Sequence, residues 1–195
     1  MKKLHFSEEE FALRRAKAVQ AMEAQDLFGM LLFRQESSYY LTGFDTYGFV
    51  FFTCLYLGRD GRMTLLTRTP DLRQAQITSV IEDIRIWVDG EGSNPALDLR
   101  DILEEHGCRG KQLGIELDAY GLTGRDHLRV TNALDGFCTL VDTSHLVSLL
   151  RLTKSDAELA YVRRAAVLAD GALDLANQLA VPGAFEGDIL AAMMG

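Results

Sequence analysis

Hydrophobic and polar positions along the first part of this chain follow the pattern of a helix that leads into a strand. Ser7 and Glu10 have the spacing of a capping box, in which a hydroxyl and a carboxylate each bind the other residue's backbone N–H. Apolar residues then recur at helical spacing until the pattern fades near Gln25. Residues 27–33 are continuously apolar and have the length of a buried strand.

The middle of the chain alternates between strand and helix patterns. Residues 49–57 and 63–67 flank a Gly-Arg-Asp-Gly turn whose glycines accept positive φ, which predicts an antiparallel hairpin. Further segments with a regular pattern are a short helix over 71–76, a strand over 80–88, a helix from Pro95 to Gly107, a strand over 112–117, a helix over 123–134 and a strand over 137–141. This order mixes a hairpin with β–α units. We therefore predict an α/β domain over residues 1–150, with a mixed β-sheet flanked by helices.

The pattern changes near Arg151. Ser155 and Glu158 form a second capping box, and the alanine- and leucine-rich residues after it carry the strongest helix signal in the chain. The Val-Pro-Gly segment at 181–183 should end this helix, and residues 186–194 begin another helical pattern. We predict that residues 151–195 are separate from the first domain and open a second one.

Composition places the chain among globular proteins. It has 195 residues, of which 48% are hydrophobic and 25% charged, so it should fold as one domain with part of another. The net charge of −8 and the lack of a Lys/Arg cluster argue against nucleic acid or a membrane as partner. Three widely spaced cysteines and the absence of a signal-peptide segment lead us to expect reduced thiols and a cytoplasmic location.

A self-contained active site is not evident in the sequence. The P-loop, HExxH, GxSxG and GxGxxG patterns are all missing, and no two of the four histidines have the helical spacing of a metal site. Acidic pairs such as Glu82 and Asp83 are interpreted as solvated carboxylates. We therefore predict no catalytic residue and no metal ligand within this chain.

Residues 37–49 hold five aromatic residues and two glycines and are interpreted as a loop between strands. Aromatic side chains there can form a recognition surface or pack into the core. Core packing is favoured for Tyr39, Tyr40 and Phe44, whereas both interpretations stay open for Tyr47 and Phe49.

Several of these residues resemble a known family. Tyr40–Phe44 is similar to the YLTGF segment of the creatinase/prolidase N-terminal domain, which precedes the pita-bread catalytic domain in Xaa-Pro aminopeptidases, prolidases and creatinases. Residues 151–158 resemble the family's R-x-x-K-S-x-x-E junction, and residues 182–186 its P-G-x-[ST]-E turn, with Phe185 in place of Ser or Thr. Leu113–Glu116 is similar to the strand before the last helix of that domain.

The resemblance implies a non-catalytic N-terminal domain followed by the first helices of a missing catalytic domain, inactive by itself. It implies that the parent is a homodimeric metal-dependent Xaa-Pro peptidase or creatinase-like C–N hydrolase acting on a peptide or small amide. Two divalent metal ions such as Mn, Co or Zn would activate water there, held by residues outside this chain. The N-terminal domain would contribute to dimerisation and substrate access, with Asp45, Tyr47 and Phe49 as candidates for a substrate-gating loop.

Two other functions stay open. The parent could be a peptide- or protein-binding protein with a degenerate, metal-free pita-bread domain. The family's metal site consists of two aspartates, one histidine and two glutamates, which would lie further along the parent. Their presence would indicate an enzyme, and their absence would indicate a binding protein. An independent α/β enzyme within residues 1–195 is disfavoured by the missing motifs.

Overall fold

The computed structural model describes residues 2–195. Their contacts divide the chain into two compact units, the first ending at Leu152 and the second beginning at Thr153. Each unit has its own architecture.

A single mixed sheet forms the centre of the first unit. Its strands are β1 (Gly29–Leu32), β2 (Cys54–Gly58), β3 (Met63–Arg68), β4 (Asp83–Trp87), β5 (Gln112–Ile115) and β6 (Thr139–Asp142). They lie in the order β4-β3-β2-β1-β5-β6, with β2 antiparallel to both β1 and β3 and the remaining pairs parallel. The predicted hairpin and the predicted mixed α/β fold are thereby confirmed.

Six helices lie within residues 2–152. They are α1 (Glu8–Glu23), α2 (Gln35–Thr42), α3 (Thr69–Thr78), α4 (Pro95–Glu105), α5 (Gly124–Leu134) and α6 (Leu146–Leu150). Successive residues of a strand point to opposite faces of the sheet, and this alternation creates two cores. Leu31 packs in a cluster with residues of α4 and α5, whereas its neighbours Met30 and Leu32 pack in a cluster with residues of α1, α2, α3 and α6. The sheet is therefore covered by helices on both faces.

The aromatic segment corrects one prediction. Residues 37–49 are not a loop throughout, because Gln35–Thr42 is the helix α2. Ser37, Tyr40 and Leu41 are buried and lie three and four positions apart, on one face of this helix. That burial outweighs the weak helix propensity of serine, tyrosine and threonine. The strand predicted from residue 49 likewise begins only at Cys54, and α6 was not predicted.

The second unit consists of α7 (Asp156–Leu179) and α8 (Glu186–Met194). The predicted capping box is present: the Glu158 N–H donates to Ser155 Oγ at 3.2 Å, and the Ser155 N–H donates to Glu158 Oε2 at 2.9 Å. Neither helix contains a buried residue, and Val162 and Leu173 are more than half exposed. Within residues 2–195, none of the helices combines the length and apolarity needed to cross a membrane.

Candidate functional site

The candidate gating loop begins at a tightly packed glycine. Gly43 ends α2 with φ +83°, in the left-handed region that favours glycine. A Cβ at this position would lie 2.7 Å from the carbonyl oxygen of Thr78 and 2.9 Å from the ring of Phe11. Gly43 therefore lies in close contact with both α1 and α3. This packing fixes the direction in which the chain leaves α2.

A buried carboxylate holds the middle of the loop. Thr46 Oγ1 donates to Asp71 Oδ1 at 2.7 Å, and the Gly48 N–H donates to Thr46 Oγ1 at 2.9 Å. Gln35 Nε2 donates to the carbonyl oxygen of Thr46 at 2.6 Å. Thr46 and Asp71 are both buried. The loop is thus attached to the first turn of α3 and to the start of α2.

The three residues predicted to gate substrate access differ in their exposure to solvent. Tyr47 is 92% exposed and Phe49 is 42% exposed, so both rings face outward on either side of the buried Gly48. Asp45 is half-buried, and its N–H donates to Thr78 Oγ1 at 3.3 Å. The loop therefore presents two aromatic side chains to solvent. The core packing predicted for Tyr40 and Phe44 is confirmed, and Tyr39 is half-buried.

A second loop, residues 117–121, packs against the first. The rings of Phe49 and Tyr120 meet edge to face with centroids 6.1 Å apart. Gly121 lies under the backbone of the first loop, since a Cβ there would be 3.0 Å from the carbonyl oxygen of Phe51 and 3.1 Å from that of Phe49. Tyr120 is 79% exposed. The two loops together form one aromatic edge.

This edge borders a cleft of about 830 Å³ at the carboxyl ends of β1 and β5. One wall follows β1 and includes residues 33–36, and the other follows β5 and includes residues 117–120. Phe49 and Arg151 complete the lining. β1 pairs with antiparallel β2 on one side and parallel β5 on the other, and crevices at the carboxyl ends of strands are common ligand sites in α/β sheets.

Arg34 bridges the two walls of the cleft. Its Nη2 donates to the carboxylate Oδ2 of Asp118, and its Nε donates to the carbonyl oxygen of the same residue, each at 2.5 Å. Nη1 donates to Ser148 Oγ at 2.8 Å, which adds a contact with α6. The guanidinium group therefore fixes the loop after β5 relative to the start of α2.

Glu116 directly precedes the cleft residue Leu117 and has no exposed surface. Its carboxyl group accepts hydrogen bonds from the Arg34 N–H at 2.9 Å and from Ser37 Oγ at 2.5 Å. Burial raises the pKa of Glu116 to about 7, although these two hydrogen bonds, the Arg34 charge and a hydrogen bond from the backbone of Phe33 favour the ionised form. This group thus titrates near neutral pH within the fold.

Sequence reasoning did not assign a role to Asp71, Arg34, Glu116 or Tyr120. The one available signal is at Glu116, an acidic residue that directly follows the apolar strand residues Leu113 and Ile115. An ionisable residue continuing an apolar run indicates burial only when the surrounding fold is known.

The residues present do not fit a metal centre of the kind that the resemblance implies. Within the part of the chain that the structure describes, no group of three or more His, Cys, Asp or Glu side chains could hold a metal ion.

Comparison with known proteins agrees with the family resemblance found in the sequence. Residues 14–153 match the family described as the creatinase/prolidase N-terminal domain. The chain is 30% identical over 200 residues to an uncharacterized hydrolase/peptidase of Sinorhizobium fredii, covering 99% of this chain and 51% of the relative. It is 25% identical over 187 residues to the ectoine hydrolase of Halomonas elongata, covering 92% of this chain and 47% of that protein.

The fold is also found among solved structures. The Xaa-Pro dipeptidase from Bacillus anthracis aligns with a TM-score of 0.75 at 22% identity, covering 94% of this chain and 47% of that one. The chain therefore spans about half the length of these three relatives.

Proposed function

The chain belongs to the creatinase/prolidase N-terminal domain family, and from this premise we propose that it is the non-catalytic N-terminal part of a hydrolase of peptide or related C–N bonds. Both curated relatives carry hydrolase in their names. We further propose that residues 151–195 open the catalytic domain of a longer, cytoplasmic, homodimeric parent. Two divalent metal ions would be held in the part of that parent beyond this chain.

Within this proposal, the loop of residues 45–49 controls substrate access. The observation that carries it is the attachment of Thr46 to Asp71, which leaves Tyr47 and Phe49 exposed, with Phe49 in the lining of the cleft. Aromatic side chains suit such a role because they offer large contact area at a small cost in rotamer entropy. Asp45 supports the loop through its N–H bond to Thr78.

The exposure of Tyr47 and Tyr120 also favours a second candidate function, that of a peptide- or protein-binding module. Exposed aromatic residues beside a cleft are typical of recognition surfaces. In that case the parent would carry a degenerate domain that binds no metal.

One experiment separates the two functions. Metal content and turnover of Xaa-Pro dipeptides and creatine are measured for this chain and for a form extended to the length of its relatives. We expect only the extended form to bind about two metal ions and turn over a substrate. An extended form without metal or turnover supports the binding module, and chelator-resistant turnover by this chain alone contradicts the non-catalytic assignment.

A glycine substitution tests how the loop is held. A Cβ at Gly48 would lie 2.6 Å and 2.7 Å from the two carboxylate oxygens of Asp71. We expect Gly48→Ala to lower the free energy of unfolding by about 1–3 kcal/mol, because the carboxylate must move away from Thr46. In the extended form, the same substitution should also change KM, since it displaces Tyr47 and Phe49.

Gly90→Ala is the matched control, because a Cβ there would meet no atom within 4 Å. It should change stability by no more than about 0.5 kcal/mol. Urea unfolding measures both effects. Equal stabilities for the two variants would show that the Asp71 carboxylate does not hold this loop.

A further inference from the structure

Glu116 connects the two walls of the cleft. The residue after it, Leu117, begins one wall, and the groups that hydrogen-bond to its carboxyl group come from the other side, at Phe33, Arg34 and Ser37. The N–H of Ser38 donates to the carbonyl oxygen of Arg34 at 3.1 Å, so these contacts include the first helical turn of α2. One buried side chain therefore holds the start of α2 against the end of β5.

Among residues 2–195, no cationic side chain forms an ion pair with the carboxyl group of Glu116. The guanidinium of Arg34 donates to Asp118 and Ser148, and only the backbone N–H of Arg34 reaches Glu116. A buried carboxylate with no direct ion pair is less stable than one in water, although the hydrogen bonds it accepts offset part of that cost. A protonated carboxyl group avoids that penalty and can donate to the Ser37 hydroxyl in place of accepting from it.

The other titratable groups near Glu116 do not stabilise its ionised form. The thiol of Cys54 on β2 is fully buried, and burial together with the charge of Glu116 raises its pKa, so it stays neutral. Asp118, on the loop after β5, is ion-paired with Arg34 at 2.5 Å. Asp142, at the end of the neighbouring strand β6, accepts from Ser144 Oγ at 2.5 Å. Glu36, on α2, is exposed.

We propose that Glu116 is a proton-operated latch of the cleft: the protonated carboxyl group holds α2 against β5, and loss of the proton releases the first turn of α2. The pKa of about 7 agrees with this, because a carboxyl group that reaches water returns toward 4.5. By linkage, the open state then gains population as pH rises through neutrality. The latch is a property of this chain, whatever reaction its parent catalyses.

Amide hydrogen exchange on the intact 195-residue chain tests the latch. The probes are the N–H groups of Arg34 and Ser38, with the amides of β2 and β3 as the reference. After correction for intrinsic exchange, we expect the opening constant at Arg34 and Ser38 to rise on the order of a hundredfold between pH 5 and pH 8. This opening should be insensitive to low urea concentrations, whereas the reference amides should respond to urea as global unfolding does.

Two variants complete the experiment. Glu116→Gln should abolish the pH dependence at Arg34 and Ser38, and Ser37→Ala should raise the pKa read from the Glu116 carboxyl carbon by NMR, because the Ser37 hydrogen bond lowers it. Exchange at Arg34 that matches the reference amides in rate and urea dependence would overturn the latch. A Glu116 pKa near 4.5 in the unsubstituted chain would also overturn it, without relying on any variant.

Discussion

Replacing Gly43 by alanine is expected to lower the free energy of unfolding by about 2–4 kcal/mol. Two costs add at this position. The φ of +83° is unfavourable for any residue with a Cβ, which accounts for about 1 kcal/mol. The new Cβ would also lie 2.7 Å from a backbone carbonyl oxygen, which cannot move aside as a flexible side chain can.

Gly107→Ala separates these two costs. Gly107 has φ +70°, close to that of Gly43, but a Cβ there would meet no atom within 4 Å. The free energy of unfolding of Gly107→Ala should therefore fall only by the cost of the positive φ, about 1 kcal/mol. Chemical denaturation of the two variants measures the difference. If both lose the same free energy, then the contact of Gly43 with Thr78 and Phe11 does not restrict the chain.

Glu116→Gln is expected to change the pH dependence of stability by about 2–3 kcal/mol between pH 5 and pH 8. Below pH 4.5 both states of the original chain carry the proton, so the group adds no pH dependence. As pH rises, the unfolded chain releases its proton near 4.5 and the folded chain only near 7. The folded state therefore binds more protons in this window, and stability falls as pH rises. Glutamine does not titrate, so this loss should be missing in the variant.

The quantity to measure is the difference in unfolding free energy between the original chain and Glu116→Gln, determined by urea denaturation across this pH range. Contributions of other titrating groups cancel in that difference. Glu91→Gln makes the same chemical change at an exposed position and is the matched control. A constant difference from pH 5 to pH 8 would contradict the assignment of a raised pKa to Glu116.

The sequence predicted the order of the elements well because the signals for them are local. The capping box at Ser155, the turn between β2 and β3 and the Pro95 helix start each depend on residues within a few positions. The same locality explains the mistake at α2. Its aromatic and hydroxyl residues do not favour a helix by themselves, and the burial that stabilises it comes from distant parts of the chain.

The sequence by itself determined the α/β class, the element order and, through three short motifs, the family resemblance that the comparisons support. Asp45, Tyr47 and Phe49 were candidates from the sequence, and only the tertiary structure added Arg34, Asp71, Glu116 and Tyr120 to the candidate site. Thr46 and Asp71 are 25 positions apart, and Arg34 and Glu116 are 82 positions apart. Burial, and with it the pKa of Glu116, depends on what surrounds a side chain in space. No pattern along the chain contains that information, because Arg34 and Glu116 come together only through the sheet register of β1 and β5.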